Sequence, residues 1–134
     1  MKENEIKNLL VKHLSTIKDA ECIAATNFED ERRENMIVVG IESVNQIYPM
    51  LPDYEYNVSI VVDTFIEDDD TGKLHENTVK IIQEKLFPYC LKEMPYTDIF
   101  GDLPIVGMIF NGINNTISDS SNRCEITLLI YASF

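Results

Sequence analysis

The architecture follows from the stretch Tyr54-Glu55-Tyr56-Asn57-Val58-Ser59-Ile60-Val61-Val62-Asp63-Thr64-Phe65-Ile66. Tyr54, Tyr56, Val58, Ile60, Val62 and Ile66 fall on one face, interrupted only by Thr64. Glu55, Asn57, Ser59 and Asp63 fall on the other, so the period is two, that of an extended strand. One apolar and one polar face predict an antiparallel sheet packed on one side and wet on the other.

Working outward toward the N-terminus, Met36 to Ser43 (MIVVGIES) is rich in β-branched residues and predicts a second strand. Pro49 and Pro52 punctuate the connection that runs on to about Asp53. Cys22-Ile23-Ala24-Ala25 suits a short strand, and the charge-dense Asn27 to Asn35 (NFEDERREN) an exposed loop or hairpin tip. Ile6, Leu9, Leu10, His13, Leu14 and Ile17 recur at helical spacing, predicting an amphipathic helix over about 4–18, with Asn4 as its cap and Lys18 in its last turn.

Toward the C-terminus, Glu67 to Gly72 (EDDDTG) reads as a turn in which Asp70 or Thr71 caps the next helix. Leu74, Thr78, Ile81, Ile82, Lys85 and Leu86 trace one face of that helix, with Pro88 as the mark of its end. Pro95 to Pro104 is irregular, and Ile105 to Asn111 and Arg123 to Ala132 predict two more strands. Between them INNTISDSSN suits a long hairpin connection or a flexible arm. The order α-β-β-β-α-β-β predicts one α+β domain over 1–134: an antiparallel or mixed sheet of about 4–5 strands covered by two helices.

Composition bounds the function. The chain has 134 residues, 45% of them hydrophobic, and a formal charge of −12. Residues 21–78 carry most of that charge, with fourteen acids against Arg32, Arg33 and Lys73. No Lys and Arg cluster offers a grip on phosphates, which argues against sequence-specific nucleic-acid binding. Cys22, Cys90 and Cys124 are odd in number and widely spaced, which gives neither a disulfide framework nor a zinc spacing. The N-terminal residues mix charge with apolar side chains, unlike a signal peptide, and no apolar run approaches a membrane span. The expectation is a protein that stays in the reducing cytoplasm where it is made.

No motif carries catalysis. Placing Gly72 sixth in a calcium loop leaves Thr78 where the bidentate Glu must stand, so the acidic cluster reads as a solvated turn. His13 and His75 are the two histidines, in no ligand spacing, and they read as structural or surface residues. No nucleophile elbow, phosphate loop or dinucleotide turn is present, so the expectation is a protein that is not an enzyme and takes no cofactor or metal.

The tyrosine-led strand Tyr54 to Val62, the acidic turn and helix after it, and the closing strands Leu103 to Phe110 and Arg123 to Tyr131 together resemble the tail terminator (tail-completion) proteins of tailed bacteriophages. The likeness spans the chain as a pattern of elements, and Phe87 to Pro104 departs from it in length and irregularity. The resemblance implies a virion protein of the neck or tail, made in the host cytoplasm. It implies a ring, typically a hexamer, that caps the tail tube and offers a docking surface to a head–tail adaptor. Glu29, Asp30, Glu31, Arg32 and Arg33 on one loop, and Asn114, Asn115, Thr116, Ile117 and Ser118 on the other, are then the candidate subunit contacts. An acidic ring wall would repel DNA phosphates and let DNA pass. The competing readings are a cytoplasmic protein-interaction or adaptor domain and an enzyme of unrecognised type.

Overall fold

A computed structural model describes residues 2–17, 20–24, 36–47, 53–69, 71–118 and 120–133. The elements are α1 (Glu3–Leu14), β1 (Glu21–Ala24), β2 (Met36–Gln46), β3 (Asp53–Phe65), a 3-10 turn (Ile66–Asp68), α2 (Lys73–Cys90), α3 (Thr97–Phe100), β4 (Ile105–Ile117) and β5 (Ser121–Ser133). The five strands form one mixed sheet in the order β1-β2-β3-β5-β4. The class is α+β, and the helix–strand order follows the sequence reading, with α3 added inside the stretch that reads as irregular.

The strand read first is the centre of this sheet. β3 pairs antiparallel with β2 on one side and with β5 on the other, the latter unbroken from Asp53 opposite Ser133 to Phe65 opposite Ser121. Tyr56, Val58, Ile60 and Val62 are buried with Ile37 and Val39 of β2 and with Cys124, Ile126, Leu128 and Ile130 of β5. Ile6, Leu10 and Leu14 of α1 and Ile82, Leu86 and Tyr89 of α2 close the same core. α1 lies over β1 and β2, and α2 over β3 and β4. The opposite face of β3 is not wet at its C-terminal half, because Ser59, Val61 and Asp63 are at most 6% exposed. Each lies mid-sheet between flanking strands, Val61 between Val38 and Glu125 and Asp63 between Met36 and Arg123. Alternation along one strand reports its two faces but not its place in the sheet.

Several element ends differ from the sequence reading. α1 begins at Glu3 after Lys2 with no side-chain cap, so Asn4 lies inside it, and it ends at Leu14. β1 and β2 run parallel, so they are not the arms of a hairpin, and residues 25–35 lie outside the described residues. α2 does not stop before Pro88 but runs on to Cys90. A proline removes one backbone donor, and here it does so within the last turn, which the buried Tyr89 holds to the core. Of the two caps expected for α2, Asp70 lies outside the described residues and Thr71 does not hold the position. Gly72 stands at the N-cap with φ of 72°, and the Asp69 carboxylate reaches forward to accept the N–H groups of Leu74 (3.1 Å) and His75 (3.0 Å). Those two donors open the helix and have no carbonyl of their own.

The largest revision concerns residues 113–122. Most of this stretch is strand: β4 continues to Ile117 and β5 starts at Ser121, with residue 119 outside the described residues. Ser118 N–H donates to the Ser121 carbonyl at 2.9 Å, and the Ser118 Oγ accepts Ser121 N–H at 3.1 Å. Ile66 N–H donates to the Ser120 carbonyl at 2.9 Å, which ties the hairpin tip to the end of β3. Asn and Ser content suggested a loop, but the in-register partners on β5 override that preference. Among the described residues no helix is long and apolar enough to cross a membrane.

Candidate interaction surface on the outer strand

β4 is an edge strand of 13 residues, IVGMIFNGINNTI, with no charged residue and no proline. Ile105 and Met108 turn into the core, whereas Val106, Ile109, Ile113 and Ile117 are 62%, 50%, 42% and 78% exposed. Two register shifts explain part of the pattern, one between Ile105 and Gly107 and one between Phe110 and Gly112. Each slips an extra residue into β4 and re-aims the side chains that follow. From Gly112 to Ile117 the ladder to β5 is regular. Edge strands of monomeric proteins are ordinarily blunted by charge, proline or brevity. Only the bulges serve that purpose here, and they serve it only in the first half of the strand.

α2 stops short of covering the second half of β4, leaving a groove of about 510 Å³ between them. His75, Glu76, Val79, Lys80 and Gln83 form its helix wall, and Ile113, Asn115 and Ile117 of β4 its floor, with Asn122 and Arg123 of β5 at one end. Near the middle of the strand the Phe87 and Phe110 rings meet edge to face, 5.1 Å apart, and Cys90 takes a hydrogen bond from the Phe110 backbone.

His75 fixes the geometry of the groove. Its Nδ1 is 3.2 Å from the Thr64 hydroxyl, and its ring also hydrogen-bonds the Asn115 side chain. One imidazole thus ties the start of α2 to β3 and to the outer strand. Burial pushes its pKa below the usual histidine value, against the opposing pull of Asp69, the Asn115 hydrogen bond and Asp63. His13, by contrast, donates from Nε2 to the Lys85 carbonyl (2.9 Å) and packs edge to face on Tyr89. Its role there is to join α1 to α2. Burial raises the thiol of Cys22 to about 12 and that of Cys124 to about 11, which keeps both protonated and poorly nucleophilic near neutrality. Among the described residues no three His, Cys, Asp or Glu side chains come together as a metal site.

Of the residues picked from sequence, Asn114, Asn115, Thr116 and Ile117 lie in the free half of β4 and Ser118 in its closing turn. Asn115, Thr116 and Ile117 line the groove. Glu29, Asp30, Glu31, Arg32 and Arg33 lie outside the described residues. Sequence reasoning missed Ile113, Ile109 and Val106. Their signal is a strand with more apolar positions than a single packed face can hold. It also missed His75 as the tie between helix and outer strand, because its partners Thr64 and Asn115 are remote in sequence. No protein-family model and no curated protein sequence matches this chain.

Proposed function

We propose that the chain is a structural subunit that works by assembling with copies of itself, as a ring-forming tail terminator or head–tail joining protein of a tailed bacteriophage. The observation that supports this best is the outer strand, which carries four exposed apolar side chains and no charge on an open sheet edge. Exposed apolar residues concentrated on one such edge mark a contact surface. The sequence resemblance supplies the setting: a virion neck or tail, with the tail tube and a head–tail adaptor as neighbours. The charge of −12 fits that setting, because an acidic ring does not hold the DNA that passes through it.

Sedimentation velocity with negative-stain imaging of the purified chain tests the reading. Closed rings of one size are the expected result. A stable monomer at every concentration would refute self-assembly and favour the adaptor reading instead.

A further inference from the structure

We infer that subunits join edge to edge, with β4 of one copy adding antiparallel to β1 of the next, Asn115 opposite Cys22 and Ile113 opposite Ala24. This deepens the assembly reading above and rests on it. Three features of the sheet select this pairing.

The first is height. Cys22, Ile37, Val62, Cys124 and Asn115 form one row across all five strands, and Ala24, Val39, Ile60, Ile126 and Ile113 form another. β1 therefore stands level with the regular half of β4, at the opposite edge of the same sheet. The second is direction. β1, β2 and β5 run one way and β3 and β4 the other, so a neighbour placed beside the sheet presents its β1 antiparallel to β4.

The third is the phase of the backbone hydrogen bonds. The bond from Ser118 N–H to the Ser121 carbonyl marks that closing pair as hydrogen-bonded. Pairs alternate along an antiparallel ladder, so Thr116, Asn114 and Gly112 turn their N–H and C=O groups toward β5. Ile117, Asn115 and Ile113 then turn theirs outward. The same alternation carries across the sheet: Cys124 bonds toward β3, Val61 and Asp63 toward β2, and Ile37 and Val39 toward β1. In a parallel ladder Ile37 bonds the residues flanking its partner, Glu21 and Ile23. Cys22 and Ala24 are left facing outward. Two bonds at the far end, Ile47 N–H to the Asp53 carbonyl (2.9 Å) and Ser133 N–H to the Pro104 carbonyl (3.0 Å), fall in the same phase.

Outward groups thus meet outward groups, and the four residues share the helix-covered face. A slip of one residue would break both matches at once. The first half of β4 does not compete, because its two bulges and the Cys90 contact at Phe110 interrupt that edge. α1 lies over β1, so a docked neighbour brings its α1 to the open side of the groove, over Ile113 and Ile117. Pairing β4 with β4 about a two-fold would leave unused the outer edge of β1, unpaired among the described residues, and stop at a dimer. Pairing β4 with β1 uses both edges and repeats, as a ring requires.

Proline substitution tests this, since proline on an edge strand is tolerated where its missing N–H faces away from the sheet. Asn115→Pro, with Ile113→Pro as a second variant free of the His75 contact, disables the β4 edge, and Ala24→Pro disables the β1 edge. Each is expected to keep the wild-type circular dichroism spectrum and to run as a monomer. An equimolar mixture of N115P and A24P retains one intact edge of each kind and is expected to give a 1:1 heterodimer and nothing larger by native mass spectrometry. Rings of unchanged size from N115P and I113P would overturn the edge pairing and leave the assembly reading standing. So would a wild-type dimer that N115P dissociates and A24P does not. Unfolding of both β4 prolines would show those N–H groups pointing at β5 and overturn the phase. A wild-type monomer at all concentrations would overturn assembly and pairing together.

Discussion

Replacing Asp69 with alanine removes the start of α2. Asp69 is 8% exposed, and its carboxylate accepts two otherwise unpartnered helix donors, Leu74 N–H at 3.1 Å and His75 N–H at 3.0 Å. Loss of a helix cap costs about 1 kcal/mol in most settings and up to about 2 in the best-made ones. Two bonds to one charged acceptor place this cap at the upper end, at about 2 kcal/mol. Unfolding entropy near 60 °C is about 2.1 cal/mol/K per residue, or about 0.28 kcal/mol/K for a chain of 134 residues. The Tm should therefore fall by about 7 °C in a calorimetric scan at neutral pH. Asp69→Asn keeps one acceptor oxygen and should lose roughly half as much. Thr71→Ala, at an exposed turn residue, should move stability by less than about 0.5 kcal/mol. A D69A protein that melts with the wild type, or a T71A protein that melts below D69A, would refute this account of the helix start.

Ile60 is fully buried at the centre of the sheet, so Ile60→Ala should cost about 3 kcal/mol in urea denaturation, and a loss under about 1 would contradict its central packing. Gly72→Ala meets no atom within 4 Å of the added Cβ, but the left-handed φ of 72° should still cost about 1 kcal/mol, and an unchanged urea midpoint would contradict that conformation. The folded pKa of His75 lies below its ordinary value, chiefly through burial, so on acidification the unfolded chain takes up this proton first. The stabilisation is complete above about pH 6.5 and is lost as pH falls through the folded value. Urea midpoints should therefore drop less between about pH 7.5 and about pH 5 in His75→Gln than in the wild type, and equal drops would refute a half-buried imidazole that resists protonation.

The legible part of this fold was the part whose cause is local. Tyr54 to Phe65 alternates because one face of β3 packs on helices, and Ile6, Leu10 and Leu14 recur because one stripe of α1 does the same. The β4–β5 hairpin beyond Asn111 has the composition of a loop, because Asn114, Asn115 and Ser118 favour turns and the register that straightens them comes from β5 and β3. The capping role of Asp69 is not legible in the sequence, since which of several acids folds back on the helix depends on backbone angles after Ile66 that composition does not encode. Of the proposed contact surface, Asn114 to Ser118 stand out in the sequence by their polarity. Its physical basis is different: an apolar edge whose backbone groups alternate between β5 and solvent. That property belongs to the sheet as a whole and not to the residues taken singly.

In the proposed assembly two particular backbone edges, β4 and β1, close on each other. Residue-resolved amide exchange by NMR reads it directly, in the wild-type assembly and in the monomeric A24P protein. The pairing predicts that the Ile113 and Asn115 amides exchange fast in the monomer and slowly in the assembly, with Cys22 gaining protection in the same assembly. Asn114 and Thr116 should stay protected in both, through β5. Fast exchange at Ile113, Asn115 and Cys22 in an assembled wild-type protein would contradict it.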